Sequence, residues 1–524
     1  MIALAAAAAL LVPLHAAELP PVRMTERERA IHVLERLGYG PRPGEVDKVV
    51  AEGVDAWVAR QLRPETIDDS ALEKKLRAFK TLTMSGEELY NAYPDKKSRL
   101  MGMFGTGAKP QTVAEELAAA KILRAVESER QLQEVLTDFW FNHFNVASQK
   151  NQDRWLISPY EREAIRPFVL GKFRDLLGAT AHHPAMLIYL DNFQSTLDQR
   201  YIPAGARDDL SEMEEKMTAK GGKKGRAKLG LNENYARELM ELHTLGVDGG
   251  YTQKDVTELA RILTGWSIDR PNKKNRVKDF VFQFKRRLHD PGAKVLLGHP
   301  FAWSGEAEGD QALDLLARHP ATARFIALKL CRRFVADDPP ADLVARVAAR
   351  FRETDGDIRR TLEFLFKDPT FYEKRFFRAK VKTPLEFTAS ALRATKAEVR
   401  DPLKVAKGVG NMGQPLYQCE PPTGWPDRAE PWVNAGALLA RMRAATGLFA
   451  ERPDAPATAD AKTLLGSTDP RERPKVVAAF TDAFLGGEIG ERTRASILAR
   501  LDHPGMSVDK IAALVLGSPE FQRR

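Results

Sequence analysis

The stretch Asn232–Thr252, NENYARELMELHTLGVDGGYT, carries the densest run of acidic, amide and imidazole side chains in the chain. Glu238 and Glu241 are of the type that serves as a general base or metal ligand, and Arg237 can steady developing negative charge. Imidazoles come from His243, from His143 in LTDFWFNHFNV and from His183 in ATAHHPAMLIYLDN. Carboxylate and imidazole together suit metal-assisted or general-base hydrolysis. The candidate catalytic residues are therefore Glu238, Glu241, His143 and Arg237. A divalent metal would draw on His143, His183 and Glu238.

Spacing constrains this chemistry. A metal helix of the H-E-x-x-H kind stacks its ligands one turn apart on one face. Glu238 and His243 lie about 140° apart by the helical period, so one helix does not supply both. The competing reading is a polar network that ties helices together. Glu233–Arg237 and Arg237–Glu241 are both spaced i, i+4, so Arg237 can sit between two carboxylates.

These residues need helices to position them. Asn232 or Asn234 caps the central helix, and Gly246 ends it. Tyr235, Ala236, Leu239, Met240, Leu242 and His243 share its apolar side, while Asn234, Arg237, Glu238, Glu241 and Thr244 take the other. In Leu136–Val146, Leu136, Phe139, Trp140 and His143 fall on one face, and Asp138 and Asn142 on another. The aromatics there read as core, and His143 as either a hydrogen-bonded core imidazole or a ligand. His183-Pro184, His299-Pro300, His319-Pro320 and His503-Pro504 recur as helix starts.

From Thr25 onward the pattern is helix after helix, which makes the fold class all-α. A large multi-helix domain over 24–440 precedes a C-terminal helical lobe over 441–524. A β-hairpin is inserted at about 279–298, where DFVFQFK alternates, HDPG turns and KVLLG returns. Residues 194–231 are rich in Gly, Lys, Asp and Glu, and read as a mobile loop. Gly413–Trp432, GQPLYQCEPPTGWPDRAEPW, is a Pro- and Trp-rich irregular segment that either forms a sugar or peptide platform or wraps a domain edge. Asp368-Pro369-Thr370-Phe371 and Ser518-Pro519-Glu520-Phe521 share a helix-end staple.

The chain has 524 residues, with 80 Lys+Arg against 71 Asp+Glu and a net charge of +9. A basic excess of this size tolerates an anionic glycan, peptide or phospholipid partner, but reads first as a solvated surface. No motif for nucleic acid accompanies it. Nucleophile elbow, Walker loop and dinucleotide fingerprint are all missing, which argues against a serine hydrolase, an NTPase or a Rossmann oxidoreductase. Residues 1–17, MIALAAAAALLVPLHAA, read as a signal peptide, although no Lys or Arg precedes its apolar run. An exported protein, periplasmic or extracellular and without a transmembrane domain after cleavage, is the expectation. Two cysteines, Cys331 and Cys419, form no disulfide framework and are expected as free thiols.

Motifs along the chain, DFWFNHFNV, YEREAIRP, FRDLLGATAHHPAMLIYLDN, NENYARELMELHTLGVDGGYTQ, ARILTGW, HPATARFIALKL and GQPLYQCEPPTGWPD, down to the closing SPEFQRR, resemble the bacterial family catalogued as domain of unknown function 1800. The resemblance covers nearly the whole chain after residue 17. It implies exported proteins, often encoded beside a second exported family, domain of unknown function 1501, that is similar to sulfatases. It implies no reaction. The family's polar motif positions fall here on Asn142, His143, Arg162, His183, Asp191, Asn232, Asn234, Arg237, Glu238, Glu241 and His243. Two readings stand: an envelope binding or accessory protein working with that sulfatase-like partner, or an exported metal- or carboxylate-dependent hydrolase around the Asn232–His243 helix. Binding is favoured because the central polar residues can pair with one another.

Overall fold

Local capping starts many of the helices. Thr25 and Glu28 form a reciprocal capping box on Glu26–Arg36, Thr252 and Asp255 do so on Gln253–Ile262, and Thr383 and Glu386 on Pro384–Ala394. Side-chain periodicity then buries one face of each, as where Ile358, Leu362, Leu365 and Phe366 turn inward from Ile358–Lys367. The structure, a computed structural model, describes residues 21–95, 109–197, 230–269, 280–450 and 452–524. Among these are 22 helices and three small two-stranded sheets, so the all-α expectation holds. The expected signal peptide, and residues 198–229 of the expected loop, lie outside the described residues.

One apolar core runs from Met24 to Phe521. Gln131–His143 passes through it with Leu132, Val135, Leu136, Phe139, Trp140 and Phe141 buried. Trp140 packs edge-on against Phe139, and its Nε1 donates to Val169 O at 3.2 Å. The closing residues fold back beside the 380–382 segment: Lys382 N donates to Gln522 O at 2.9 Å and Arg524 N to Lys380 O at 2.8 Å. Both Asp/Ser-Pro staples form, with Asp368 Oδ1 accepting from Thr370 N at 2.9 Å and Ser518 Oγ from Phe521 N at 3.3 Å.

Two local expectations are corrected. The strands of the expected hairpin exist but do not pair with each other. Phe282–Phe284 runs antiparallel to Trp266–Ile268, and Lys294–Leu296 pairs with His299–Phe301. Leu297 and Gly298, both at positive φ, make the tight turn that joins the second pair, so HDPG is a bend between two ribbons. Of the four His-Pro pairs, two begin helices: His183 and His319 accept from the N–H groups of Ala185 and Ala321 at 3.1 and 3.2 Å. His299-Pro300 lies in a strand instead, and His503-Pro504 in a turn.

Asp153–Tyr160, with Pro159 inside it, runs into a single wide π turn, Glu161–Ile165. Pro159 withholds an N–H from the ladder at this point, and such wide turns recur at functional sites. Among the described residues no helix is long and apolar enough to cross a membrane. Cys331 and Cys419 are both free and buried.

Candidate functional site

Polar side chains of DFWFNHFNV, YEREAIRP and ATAHHPAMLIYLDN meet at the inner side of the Pro/Trp segment. Asn142 grips Trp425 at two points: its Nδ2 donates to Trp425 O at 2.8 Å, and its Oδ1 accepts from Trp425 N at 2.6 Å. Asn145 Nδ2 donates to Cys419 O and Pro421 O, both at 2.9 Å. Tyr189 Oη donates to Glu420 O at 2.5 Å, and Ser148 N to Tyr417 O at 2.9 Å. The segment therefore has backbone polar groups satisfied by residues more than two hundred positions away in sequence.

Beneath it lies a buried ion network. Tyr417 Oη donates to Glu161 Oε2 at 2.5 Å, and Arg166 reaches Glu161 at 3.0 Å and Glu134 at 2.8 Å. Burial works against ionising Glu161, yet Lys121 and Arg166 hold its carboxyl below the ordinary range. Lys121 pairs with Asp138 at 2.7 Å and stands 4.6 Å over the Tyr417 ring. Trp432 is buried against Trp425, ring centroids 6.0 Å apart, and donates Nε1 to Pro426 O. Of the two expectations for this segment, the edge-wrapping one describes Trp432; Trp425 is half-buried.

The predicted site residues do not gather there. His143 is buried and its Nε2 faces His243 O at 3.1 Å, with the two imidazole centroids 6.3 Å apart. His243 sits in the turn after the Glu233–Glu241 helix, closed by Gly246 at φ +83°. Burial, with Lys329 adding repulsion, pushes His143 well below the usual imidazole range and His243 down to about 3. Both are neutral core imidazoles over most of the pH range.

Glu238 and Glu241 look outward and are only part-buried. Burial and the neighbouring Glu241 raise the Glu238 carboxyl, with Arg237 opposing. Glu241 accepts from Tyr251 Oη at 3.0 Å. Arg237 is not held between Glu233 and Glu241: it donates to Gln253 Oε1 at 2.8 Å, while Glu233 takes Gln253 and Thr257. Helix i, i+4 spacing permits the intrahelical pairs, but the adjacent Gln253–Ile262 helix offers partners in better position. His183 caps its helix and lies 3.8 Å from Glu163, apart from both His143 and Glu238. Among the described residues no group of three His, Cys, Asp or Glu side chains is arranged to hold a metal.

Of the remaining motif positions, Arg162 and Asn232 are tied to backbone. Arg162 donates to Leu82 O at 2.7 Å and to Met84 O at 3.1 Å. Asn232 caps the central helix through Tyr235 N at 3.2 Å and donates to Leu190 O at 2.7 Å. Asp191 accepts from Lys150 at 2.9 Å, and Asn234 is exposed.

The chain belongs to the family described as Protein of unknown function (DUF1800). Its sequence profile matches residues 32–523. No curated protein and no solved structure matches the chain. In this DUF1800 chain, then, Asn142, Asn145 and Tyr189 from two of the motif stretches hold the chain's own Pro/Trp segment, while the Glu233–Glu241 helix bonds elsewhere.

Sequence reasoning missed a second feature beside that segment. Arg333, Lys380 and Arg524 line a small cavity of about 60 Å³ together with Asp138, Asn142, Glu386, Trp425 and Trp432. Arg36, Arg378, Lys382 and Arg441 are buried close behind. The basic excess was expected on a solvated surface, yet these cations are interior. They come from five separate parts of the chain, so no local spacing announces them.

Proposed function

We propose that this protein is an exported binding or accessory protein of the bacterial cell envelope, working with a partner from the sulfatase-like family catalogued as domain of unknown function 1501. One observation carries the reading. Asn142, Asn145 and Tyr189 spend their hydrogen bonds on the 417–425 segment, and Tyr417 within it is anchored to Glu161. The segment they hold leads directly into an apolar strip. Val433, Leu438, Leu439 and Met442 are about half exposed, and the last three lie on the Ala435–Leu448 helix. Exposed apolar side chains grouped in this way are the ordinary signature of a protein contact.

Capture tests this reading. The tagged chain, co-expressed with the neighbouring sulfatase-like protein and cross-linked in the periplasm, is expected to retain it. Leu439→Glu with Met442→Asp is expected to abolish retention without lowering Tm, since both positions are exposed. Failure of the wild-type chain to retain the partner overturns the reading.

A second reading, an exported metal- or carboxylate-dependent hydrolase around the Asn232–His243 helix, has one observation in its favour. The raised Glu238 carboxyl is the environment that general acid–base catalysis uses. Ester, amide and glycoside hydrolysis measured with and without divalent metals, in wild type and Glu238→Gln, separates the two. Turnover lost in the variant establishes the hydrolase.

A further inference from the structure

The cavity under the Pro/Trp segment is over-supplied with positive charge. Arg36, Arg333, Arg378, Lys380, Lys382, Arg441 and Arg524 are all buried within one neighbourhood. Among the described residues their carboxylate partners are Glu35, Glu386 and Asp337. Glu386 takes both Arg333 and Arg524, Asp337 takes Lys380, and Glu35 lies 3.9 Å from each of Lys382 and Arg378. That sets seven cations against three carboxylates.

The other charged groups around the cavity do not redress this. Asp138 is committed to Lys121, Asp427 to Lys329 and Arg428 to Asp338. Among the described residues Arg36 donates to Phe376 O, and Arg441 to Gln522 Oε1 and Lys382 O. Among the described residues Arg524, 3% exposed, finds no hydrogen-bond partner for its Nε or Nη1, and Arg36 finds none for the same two atoms. Unpaired guanidinium nitrogens in an interior are costly, because desolvation is not repaid by a counter-charge. A cluster of this composition is short of an anion.

We propose that the cavity between Arg333, Lys380 and Arg524 binds a small tetrahedral oxyanion of sulfate or phosphate size, roofed by Trp425 and Trp432. Size admits the ligand. The cavity of about 60 Å³ has room for a few waters, each needing about 10–15 Å³ of such space, and so for one oxyanion. The chemistry selects it, since guanidinium forks match such oxygens with paired N–H groups. The partly exposed Asp427 and Arg428 and the exposed Pro426 form the rim, so the oxyanion is either a free ion or the terminal group of a larger ligand. Asn142 has a defined part in this: its grip on Trp425 keeps the roof in place. The site goes beyond the partner reading and does not depend on it.

Calorimetry of the full chain at pH 7, with sodium sulfate or phosphate replacing chloride at constant ionic strength, tests the site. Saturable one-to-one binding and a rise in Tm that follows the same affinity are expected. Lys380→Met and Arg524→Gln are each expected to weaken binding roughly tenfold or more, the worth of one charge-assisted hydrogen bond. Exposed Arg471→Gln is the control and is expected to bind as wild type. Should Lys380→Met fail to fold, Arg524→Gln carries the comparison. Glucose 6-sulfate and glucose 6-phosphate distinguish the sources: tighter binding than the inorganic ions shows a terminal group of a larger ligand, and weaker binding a free ion. No saturable binding by wild type overturns the proposal. Equal binding by wild type and both variants, an adventitious ion only, overturns it as well.

Discussion

Asn142 and Trp425, 283 residues apart, exchange both hydrogen bonds of an amide pair at 2.8 and 2.6 Å. This contact fixes a loop to a core helix. It also leaves no room beside it, because a Cβ on Gly424, at φ +71°, would stand 2.4 Å from Asn142 O.

Two substitutions read this contact. Asn142→Ala leaves two backbone groups of Trp425 without partners, a loss of about 1–3 kcal/mol. Gly424→Ala adds the clash to a left-handed backbone that L side chains rarely adopt. Both are expected to lower Tm and to expose the 417–432 segment to limited proteolysis before global unfolding. Equal protease sensitivity in wild type and variants would show that the clamp does not hold the segment.

Tyr417→Phe isolates the ion network under the segment. The phenol is the hydrogen-bond donor to Glu161 Oε2 at 2.5 Å. Removing it leaves a buried carboxylate oxygen unsatisfied, while Arg166 and Lys121 keep the group ionised. About 1–3 kcal/mol of stability is expected to go. A cycle with Glu161→Gln measures the coupling, and additivity within about 0.5 kcal/mol would mean that the two side chains act independently.

Local rules exposed much of the fold. Capping residues such as Thr252 and Thr383, the glycine stop at Gly246 and the apolar faces of Leu136–Val146 are nearest-neighbour physics and read directly. Pairing is different. The strand at Phe282–Phe284 is visible from its alternation, but its partner at Trp266–Ile268 depends on where intervening chain delivers it. The polar motifs illustrate the same limit. Asn142 and Tyr417 look alike as candidate ligands or as struts, because the group each bonds lies hundreds of residues away. The cation cluster is the extreme case. Arg36, Arg333 and Arg441 stand on helices, and Lys380 and Arg524 in irregular backbone, in patterns that resemble any solvated surface. Arg237 errs the other way, since its i, i+4 carboxylates are real neighbours but Gln253 across the helix pair takes it.

Acid stability should follow the buried imidazoles. His243 is held down to about 3, and His143 and His32 well below 6.5, by burial first and then by nearby cations, Lys329 for the first two and Arg36 for His32. Each binds a proton in the unfolded chain near 6.5 but not in the folded one. The unfolded state therefore holds more protons below that pH, and stability falls as pH drops from 6.5 towards 3. The slope approaches about 1.4 kcal/mol per pH unit for each histidine. Denaturant midpoints between pH 7 and 4 check this, and His243→Phe should flatten the acid limb. An unchanged limb in that variant would assign the acid loss to other groups.

Glu238 offers the opposite sign. Burial and Glu241 raise its carboxyl in the folded state, so its ionised form opposes folding at neutral pH. That opposition is absent at low pH, where the group is protonated in both states, and grows as pH rises through its unfolded value. Glu238→Gln is therefore expected to stabilise the chain by a few tenths of a kcal/mol at pH 7, the size of a like-charge helix pair, with the gain vanishing near pH 3. Added salt should shrink it through screening. Destabilisation at pH 7 instead would show that the carboxylate makes a favourable contact that outweighs Glu241, with Arg237 the charge to test next by Arg237→Gln.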